Sequence, residues 1–389
     1  MNAGSSSIKF ALYQAGSSVP SFRGKLDRIV ADRAKLSWRT VQGDSGDHDV
    51  QVANDRPSAH VIDWLEARCE LADVKGIGHR VVHGMTHAEP ARVTGELLDA
   101  LQRATPYAPE HLPLEIELMN AFCARHPELP QVACFDTAFH RNLMPVARLM
   151  PIPRRYFANG VQRYGFHGLS YAYLLKELAR LAGPDVANGR VILAHLGNGA
   201  SMAAVHQGRS IDTTMGFTPA AGLTMSTRTG DLDPGIVLFL ARAEGMTAAQ
   251  FDHMVNHESG LLGVSETSSD MRELLAREAA DARAAEAVAL FCYQAKKWVG
   301  ALATVLGGVD TLVFSAGIGE QSAPIRARIC DGLGFLGIEL HEGRNAAHAA
   351  VISTDASRVA VRVIPTDEEL MIARSTLRVL DLNIVDTGT

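Results

Sequence analysis

The sequence has no run of lysine and arginine, and its formal net charge is −6. A basic surface for nucleic acid is therefore not expected. Cysteine is scarce. Cys69, Cys123, Cys134, Cys292 and Cys330 are odd in number and none forms a CxxC pair. That argues against a disulfide framework or a structural zinc site and fits a reducing compartment. No apolar stretch reaches transmembrane length, so no membrane partner is expected. The opening Met1-Asn2-Ala3-Gly4 lacks a basic segment followed by an apolar one. No signal peptide is expected, and the chain reads as cytoplasmic. Two phosphate-binding signatures are missing as well: GxxxxGK followed by Ser or Thr, and a complete GxGxxG. Any nucleotide held here needs another arrangement. Low-complexity tracts and short repeats are absent.

What is present is an ordinary globular composition, 47% hydrophobic and 21% charged over 389 residues. That length exceeds one hydrophobic core, so two domains are expected. Strand and helix patterns alternate, which predicts an α/β fold. Ile8–Tyr13 reads as a strand with Ile8, Phe10 and Leu12 on one face, and Val61–Leu71 as a helix. Ile77–His83, Gln131–Phe135, Val191–His195 and Thr311–Phe314 read as further strands. One long helix is expected from about Arg272 to Leu306, with Val288, Phe291, Cys292, Ala295, Trp298, Val299, Leu302 and Val305 on its core-facing stripe and Gly307-Gly308 ending it. Pro145, Pro151 and Pro153 suggest a domain boundary near residues 137–160.

Several strands run into glycine-rich loops, where open α/β sheets hold ligands. Asn2-Ala3-Gly4-Ser5-Ser6-Ser7-Ile8-Lys9 offers small residues, hydroxyls and a point charge to a phosphate; it is equally a plain serine-rich tail. Leu196-Gly197-Asn198-Gly199 follows an apolar strand, and is also what a simple hairpin turn looks like. Ala316-Gly317-Ile318-Gly319-Glu320 joins a strand to a helix. It offers an anion unpaired N–H groups, or is only a tight connection.

These segments fall within a larger series. In order come Asn2–Lys9, Gly78-His79-Arg80-Val81-Val82-His83-Gly84, Phe135-Asp136-Thr137-Ala138-Phe139-His140, Tyr164-Gly165-Phe166-His167-Gly168 and His195–Gly199. Then follow Asp212–Pro219, Thr227-Arg228-Thr229-Gly230-Asp231, Ala316–Glu320 and Ile364-Pro365-Thr366-Asp367-Glu368-Glu369-Leu370. The series resembles the signature blocks of the acetate kinase family, in family order and over nearly the whole chain. The resemblance implies two RNase-H-like domains of the acetate and sugar kinase, Hsp70 and actin fold, with an active-site cleft between them. It places residues 1–137 and 370–389 in the first domain and 138–369 in the second. It also implies a homodimer. The activity implied is reversible phosphoryl transfer between ATP and acetate, giving acetyl phosphate and ADP, with Mg²⁺ or Mn²⁺ as metal.

The same resemblance assigns roles. Arg80 would hold the substrate carboxylate, and Arg228 would lie against the transferring phosphoryl group. A guanidinium fork suits coplanar oxygens, although most arginines form only surface ion pairs. His167 would hydrogen-bond a phosphoryl oxygen in the transition state, and His111 would also line the active site. Asp136 matches the family's aspartate. A carboxylate substrate is already ionised at neutral pH, so Asp136 is expected to orient Arg80 or the Mg²⁺ shell rather than act as a base. Asn2 and Glu368 would hold Mg²⁺ through water. Nucleotide contacts would come from Lys9, Ser5, Ser7, His195, Leu196, Gly197, Asn198, Gly199, Asp270, Met271, Arg272, Gly317, Ile318, Gly319, Glu320 and Gln321. Val82, Phe166 and Pro219 would surround the substrate's alkyl group, or simply pack in the core.

Two histidine sets could suggest metal. His79, His83 and His87 are spaced by four, but on a strand-like segment that spacing does not share a face. His253 and His257 lie on a helical pattern whose plainest reading is a solvated face. Two departures from the family also stand out. Glu110 and Leu112 flank His111 where the family has Leu and Asn, and an acid turned inward there would repel an anionic substrate. That leaves propionate or butyrate open beside acetate. Only Met1 precedes Asn2, so the first strand is expected to be short. A non-catalytic ATP-binding sensor on the same fold is the rival of a different class, though such a sensor needs no transition-state groups like Arg80, His167 and Arg228.

Overall fold

The computed structural model describes residues 1–4, 7–29, 33–51, 57–69 and 71–382; Ser5 and Ser6 lie outside this range. Chain contacts divide the protein into Met1–Ala138 with Asp367–Thr389, and Phe139–Thr366. Asp367, Glu368 and Glu369 thus group with the first unit.

The first unit begins with an antiparallel meander: β1 (Asn2–Ala3), β2 (Ser7–Tyr13), β3 (Pro20–Ile29), β4 (Arg33–Thr40) and β5 (Ser45–Gln51). A second sheet holds β6 (Ile77–Val81), β8 (Gln131–Phe135) and, at its edge, β7 (Ala91–Arg92), with β6 and β8 parallel. Met1 links the two. Its amino group donates to the Gly78 carbonyl at 2.7 Å, and its carbonyl accepts the Arg80 N–H at 2.9 Å. That bracketing pattern is how parallel strands pair, so β1 continues the meander into the parallel strands. β1 is only two residues long, and an apolar groove lined by Met1, Leu12, Ile77, Phe122 and Ile372 lies beside it.

The core of this unit explains the strand choices. Ile8 and Phe10 of β2 are buried together with Leu26, Leu36, Trp64 and Phe122. Phe10 and Trp64 pack with ring centroids 5.2 Å apart. The helix read at Val61–Leu71 spans Pro57–Glu66, with a 3-10 turn at Leu71–Asp73. The last helix, Glu368–Val379, lies on β6 so closely that a Cβ on Gly78 would stand 2.2 Å from Thr376 Oγ1. Glycine at that point lets the helix approach, and so fixes where its first turn lies.

The second unit repeats the plan. Antiparallel β11 (Arg209–Thr213), β10 (Ala200–His206) and β9 (Val191–Leu196) continue into parallel β12 (Thr311–Ser315) and β13 (Ala360–Val363). The hairpin loops after β1 and β9 therefore hold corresponding places in the two units. The single helix expected from Arg272 to Leu306 is instead two, Met271–Arg277 and Ala282–Leu306. Asp281 ends the continuity, because its carboxylate caps the second helix by accepting the Arg283 and Ala284 N–H groups. Gly307 closes that helix at φ 70°, as a C-terminal glycine does.

Candidate functional site

In the first unit the polar residues collect at the carboxyl ends of β6 and β8. Arg80 lies near the end of β6, and Asp136 follows β8 directly. Arg80 Nε and Nη2 both donate to Asp136 Oδ2, at 2.9 and 2.5 Å, while Nη1 donates to the Ala3 carbonyl at 3.1 Å. Asp136 is fully buried. Burial alone would lower the Arg80 pKa, but the negative charges of Asp136 and Glu368, joined by Glu115 when that acid is ionised, outweigh it and hold the guanidinium charged. The arrangement suits an arginine that must keep one orientation while offering its remaining N–H groups to an anion.

Beside it, Asn2 is buried and its amide donates to Glu368 Oε2 at 2.9 Å and Glu369 Oε1 at 3.1 Å. Asp367 caps the same helix turn by accepting the Leu370 N–H, and is itself held by Arg23 at 2.5 Å and by the Tyr13 hydroxyl at 3.3 Å. Burial, then Asp367, push the Tyr13 phenol up, so it stays a donor. Lys9 pairs with Asn2 across the hairpin and is exposed, and Gly4 N–H closes the turn onto the Ser7 carbonyl. Val82 and His111 are both buried, His111 at the start of the helix Leu112–Arg125.

Glu110 is exposed, so the acid suspected of turning inward turns out to solvent. The buried acid is Glu115, one turn into the helix. It accepts the Val82 N–H on both oxygens, at 3.0 and 3.2 Å, and lies 3.8 Å from Arg80 Nη1. Burial pushes its carboxyl up to about 8, against the opposing pull of Arg80. A sequence signal for it existed. Glu115 falls at helical spacing among Leu112, Met119 and Phe122, an apolar stripe where an acid is out of place.

In the second unit His167 stands at φ 57°, the left-handed region, just before the helix Gly168–Ala182. Backbone strain of this kind concentrates at functional sites. Gly165 precedes it at φ 74°, where a Cβ would meet the His140 ring at 2.6 Å. His140 Nε2 donates to the Phe166 carbonyl at 3.0 Å, and its Nδ1 bonds the Ser210 hydroxyl at 2.8 Å, so this buried ring pins the segment from behind. Phe166 is fully buried.

His167 Nδ1 bonds Ser201 Oγ at 2.8 Å, and Ser201 in turn meets the Tyr171 hydroxyl at 2.5 Å. The other ring nitrogen faces the β9–β10 loop. A Cβ placed on Gly199 would lie 3.2 Å from His167 Nε2 and 3.6 Å from Arg228 Nη1. Glycine there keeps open the space on which both groups converge. The loop is a three-residue hairpin, since Leu196 pairs with Ala200. Its backbone is not idle, because the Asn198 carbonyl accepts the Ser226 N–H at 3.1 Å and so ties the loop to the Arg228 segment. That segment is pinned again by Met225 N–H on the Arg228 carbonyl and by Thr227 Oγ1 on the Asn256 carbonyl. Pro219 contributes a carbonyl 3.5 Å from Arg228 Nη1.

The other expected nucleotide contacts divide. Leu196 is buried and Gly197, Gly199 and His195 border the loop. Gly317–Gln321 belongs to the short helix Ala316–Gln321 directly after β12, entered through Ala316 at φ 62°. Glu320 Oε1 is taken up by the backbone N–H groups of Ala316 at 2.8 Å and Thr366 at 3.1 Å, a structural use. Asp270 caps the helix Met271–Arg277 and binds the exposed Arg272, whereas Met271 is buried in packing. Sequence reasoning missed Arg326. It is wholly buried and donates to the Gly319 and Glu320 carbonyls at 2.9 and 2.8 Å and to Asn345, so it braces the loop from below.

His79 and His83 are both buried, and burial lowers their pKa values to about 3 and about 4. Among the described residues no group of three His, Cys, Asp or Glu could hold a metal. His253 ends one helix and His257 lies in a π-turn after it, their rings 4.9 Å apart. No helix among the described residues is long and apolar enough to cross a membrane.

Residues 1–374 match the model of the acetokinase family. The chain is 44% identical to an acetate kinase of Rhodopseudomonas palustris over 98% of both chains. It is similar in structure to an acetate kinase of Porphyromonas gingivalis, with 34% identity, a TM-score of 0.87 and coverage of 97% of this chain and 98% of that one. A propionate kinase of Francisella tularensis gives 34% identity, a TM-score of 0.91 and the same coverage.

Proposed function

This chain belongs to the acetokinase family and is a phosphotransferase acting on a carboxylate, and on that premise we propose how its residues carry out reversible transfer between ATP and acetate, giving acetyl phosphate and ADP. The observation that carries the reading is the convergence of His167 Nε2 and Arg228 Nη1 on Gly199. Two donors aimed at one open space are what a transferring phosphoryl group requires, since that chemistry depends on positioning and charge neutralisation.

Arg80 binds the carboxylate. Asp136 takes its Nε and one Nη2 proton and leaves the outer N–H groups for the substrate. Its role is to orient, because the substrate has no proton to give up at neutral pH. Val82, His111, Phe166 and Pro219 border the alkyl group. His167 donates from Nε2 to a phosphoryl oxygen while Ser201 holds Nδ1, and Arg228 neutralises charge on the same group.

Asn2 and Glu368 are the residues that would hold Mg²⁺. Their fit rests on two buried or half-buried oxygen-bearing side chains already in contact, with a second acid, Glu369, on the same amide. Mg²⁺ commonly takes one or two carboxylates and completes its shell with water and phosphate. When bound it neutralises phosphate charge. Mn²⁺ suits the same oxygens. Ser7 and Lys9, the loop His195–Gly199, the Asp270–Arg272 turn and the segment Gly317–Gln321 contact the nucleotide. Ser5 belongs to this set but lies outside the described residues.

A homodimer is part of the reading. The helix Gly235–Ala243 buries none of its residues, although Val237, Leu238 and Phe239 are large and apolar, Phe239 being 65% exposed. A helix apolar on all sides belongs under cover, and a second copy supplies it. A cytoplasmic location fits the unpaired cysteines.

The test is acyl phosphate formation, trapped as the hydroxamate, from acetate, propionate and butyrate with ATP and Mg²⁺. Acetate is expected to give the highest kcat/KM. A higher value with propionate would move the substrate one carbon along, and no product from any of the three would refute the reading.

A further inference from the structure

Glu115 belongs to none of the roles above, yet it is a buried acid close to Arg80. It is 2% exposed and sits within the apolar stripe of the helix Leu112–Arg125. A leucine would pack in that stripe without the cost of taking a carboxyl out of water. What the acid does instead is visible. Both its oxygens accept the N–H of Val82, and Oε1 stands 3.8 Å from Arg80 Nη1. That distance is too long for a hydrogen bond but short for a charge interaction. One side chain therefore holds the backbone of the alkyl pocket and faces the arginine that meets the carboxylate.

We propose that Glu115 is a positioning residue that sets affinity for the carboxylate substrate, tying the Val82 backbone to the Arg80 guanidinium and acting on that guanidinium by its charge. The proposal rests on the reading of Arg80 as the carboxylate's partner. Asp136 already takes Nε and Nη2, so the Nη1 side is where a further anion competes with the substrate. The charged groups around Glu115 are Arg80 from β6 and Asp136 from the end of β8. Glu368 of the last helix acts on Arg80, and His111 lies one turn earlier, its carbonyl accepting the Glu115 N–H.

The sign follows. Burial keeps the carboxyl protonated until about pH 8. Below that the neutral acid clamps Val82 without opposing the substrate. Above it a second negative charge faces Arg80, and carboxylate binding weakens. Glutamine reproduces the neutral form, with an oxygen for the Val82 N–H and no charge at any pH. Leucine fills the space but offers no acceptor.

The experiment compares wild type, Glu115→Gln and Glu115→Leu at pH 7 and pH 9, with KM and kcat for acetate, propionate and butyrate and KM for ATP. At pH 7 Glu115→Gln is expected to match wild type. At pH 9 the wild-type carboxylate KM should exceed that of Glu115→Gln by about tenfold, as for a group one unit above its pKa whose neutral form alone permits binding. Glu115→Leu should raise the carboxylate KM at both pH values, change the ratio among the three acids and leave the ATP KM alone. Wild type and Glu115→Gln tracking each other from pH 7 to 9 overturns the proposal. So does an unchanged carboxylate KM in Glu115→Leu. If the leucine variant does not fold, the glutamine comparison decides alone. A wild type that makes no acyl phosphate refutes the carboxylate reading itself, a result distinct from an active wild type indifferent to residue 115.

Discussion

His167 and His195 stack face to face, with ring centroids 4.1 Å apart and planes 20° from parallel. Each is held by a serine. Ser201 takes Nδ1 of His167, and Ser170, itself bonded to Thr366, takes Nδ1 of His195. The pair cannot rotate independently, so Nε2 of His167 is left facing Gly199 and Arg228.

That constraint predicts a graded loss of activity. His167→Ala should lower kcat by about a hundredfold or more, the scale for removing one donor to a charge-developing oxygen. Ser201→Ala keeps the ring but frees Nδ1, and should cost about tenfold in kcat with the KM for either substrate little changed. Steady-state kinetics on both variants check this. A Ser201→Ala enzyme with full kcat would show that the serine does not set the ring's orientation.

Asp136→Asn tests whether that acid orients Arg80. The amide keeps one acceptor oxygen but loses the charge that holds two guanidinium nitrogens. The carboxylate KM should rise by about tenfold, since hydrogen bonds to a charged partner are the stronger ones, while the Mg²⁺ dependence stays near that of wild type. Normal substrate affinity with lost turnover would remove the orienting role.

The positions of the site residues were legible in the sequence largely through the resemblance of the ordered blocks to one family, and some of those blocks sit where a strand ends. Asp136 ends an apolar strand, Gly197–Gly199 follows another, and Arg80 lies in a β-rich segment. The missed residues sit inside regular elements. Glu115 and Arg326 occupy helices where charged residues are common; Glu115 interrupts an apolar stripe, whereas only three-dimensional packing reveals that Arg326 is buried. The helix break at Asp281 was overlooked because Ala- and Glu-rich sequence on both sides keeps high helix propensity, and one capping carboxylate overrides it. The inward turn suspected for Glu110 belonged to Glu115, five residues on, because the chain enters its helix at Leu112 and Glu110 stays in the preceding turn.

Stability should fall in mild acid, and His140 supplies a measurable part of the slope. Burial lowers its pKa from 6.5 to about 4, and both ring nitrogens are bonded in the neutral form. Between those values the unfolded chain binds a proton that the folded chain refuses. Stability is therefore complete above about pH 6.5 and declines as the pH drops toward 4. His79 and His83 act in the same direction. His140→Gln should be less stable at pH 7 but show a shallower loss of Tm between pH 6.5 and 4. A slope equal to that of wild type would mean that His140 does not carry the linkage.

The last prediction concerns the helix Gly235–Ala243. Leu238 and Phe239 are 53% and 65% exposed within one chain, and uncovered apolar side chains of this size mark an interaction surface. If a second copy covers them, charge at these positions must be taken out of water on association, which strongly disfavours it. Leu238→Glu with Phe239→Glu should then convert a dimer to a monomer in sedimentation velocity at micromolar concentration. The fold should survive, because neither side chain contributes to the core of its own unit. Activity measured on that monomer separates assembly from catalysis. An unchanged sedimentation coefficient would place the dimer contact, or the absence of one, elsewhere.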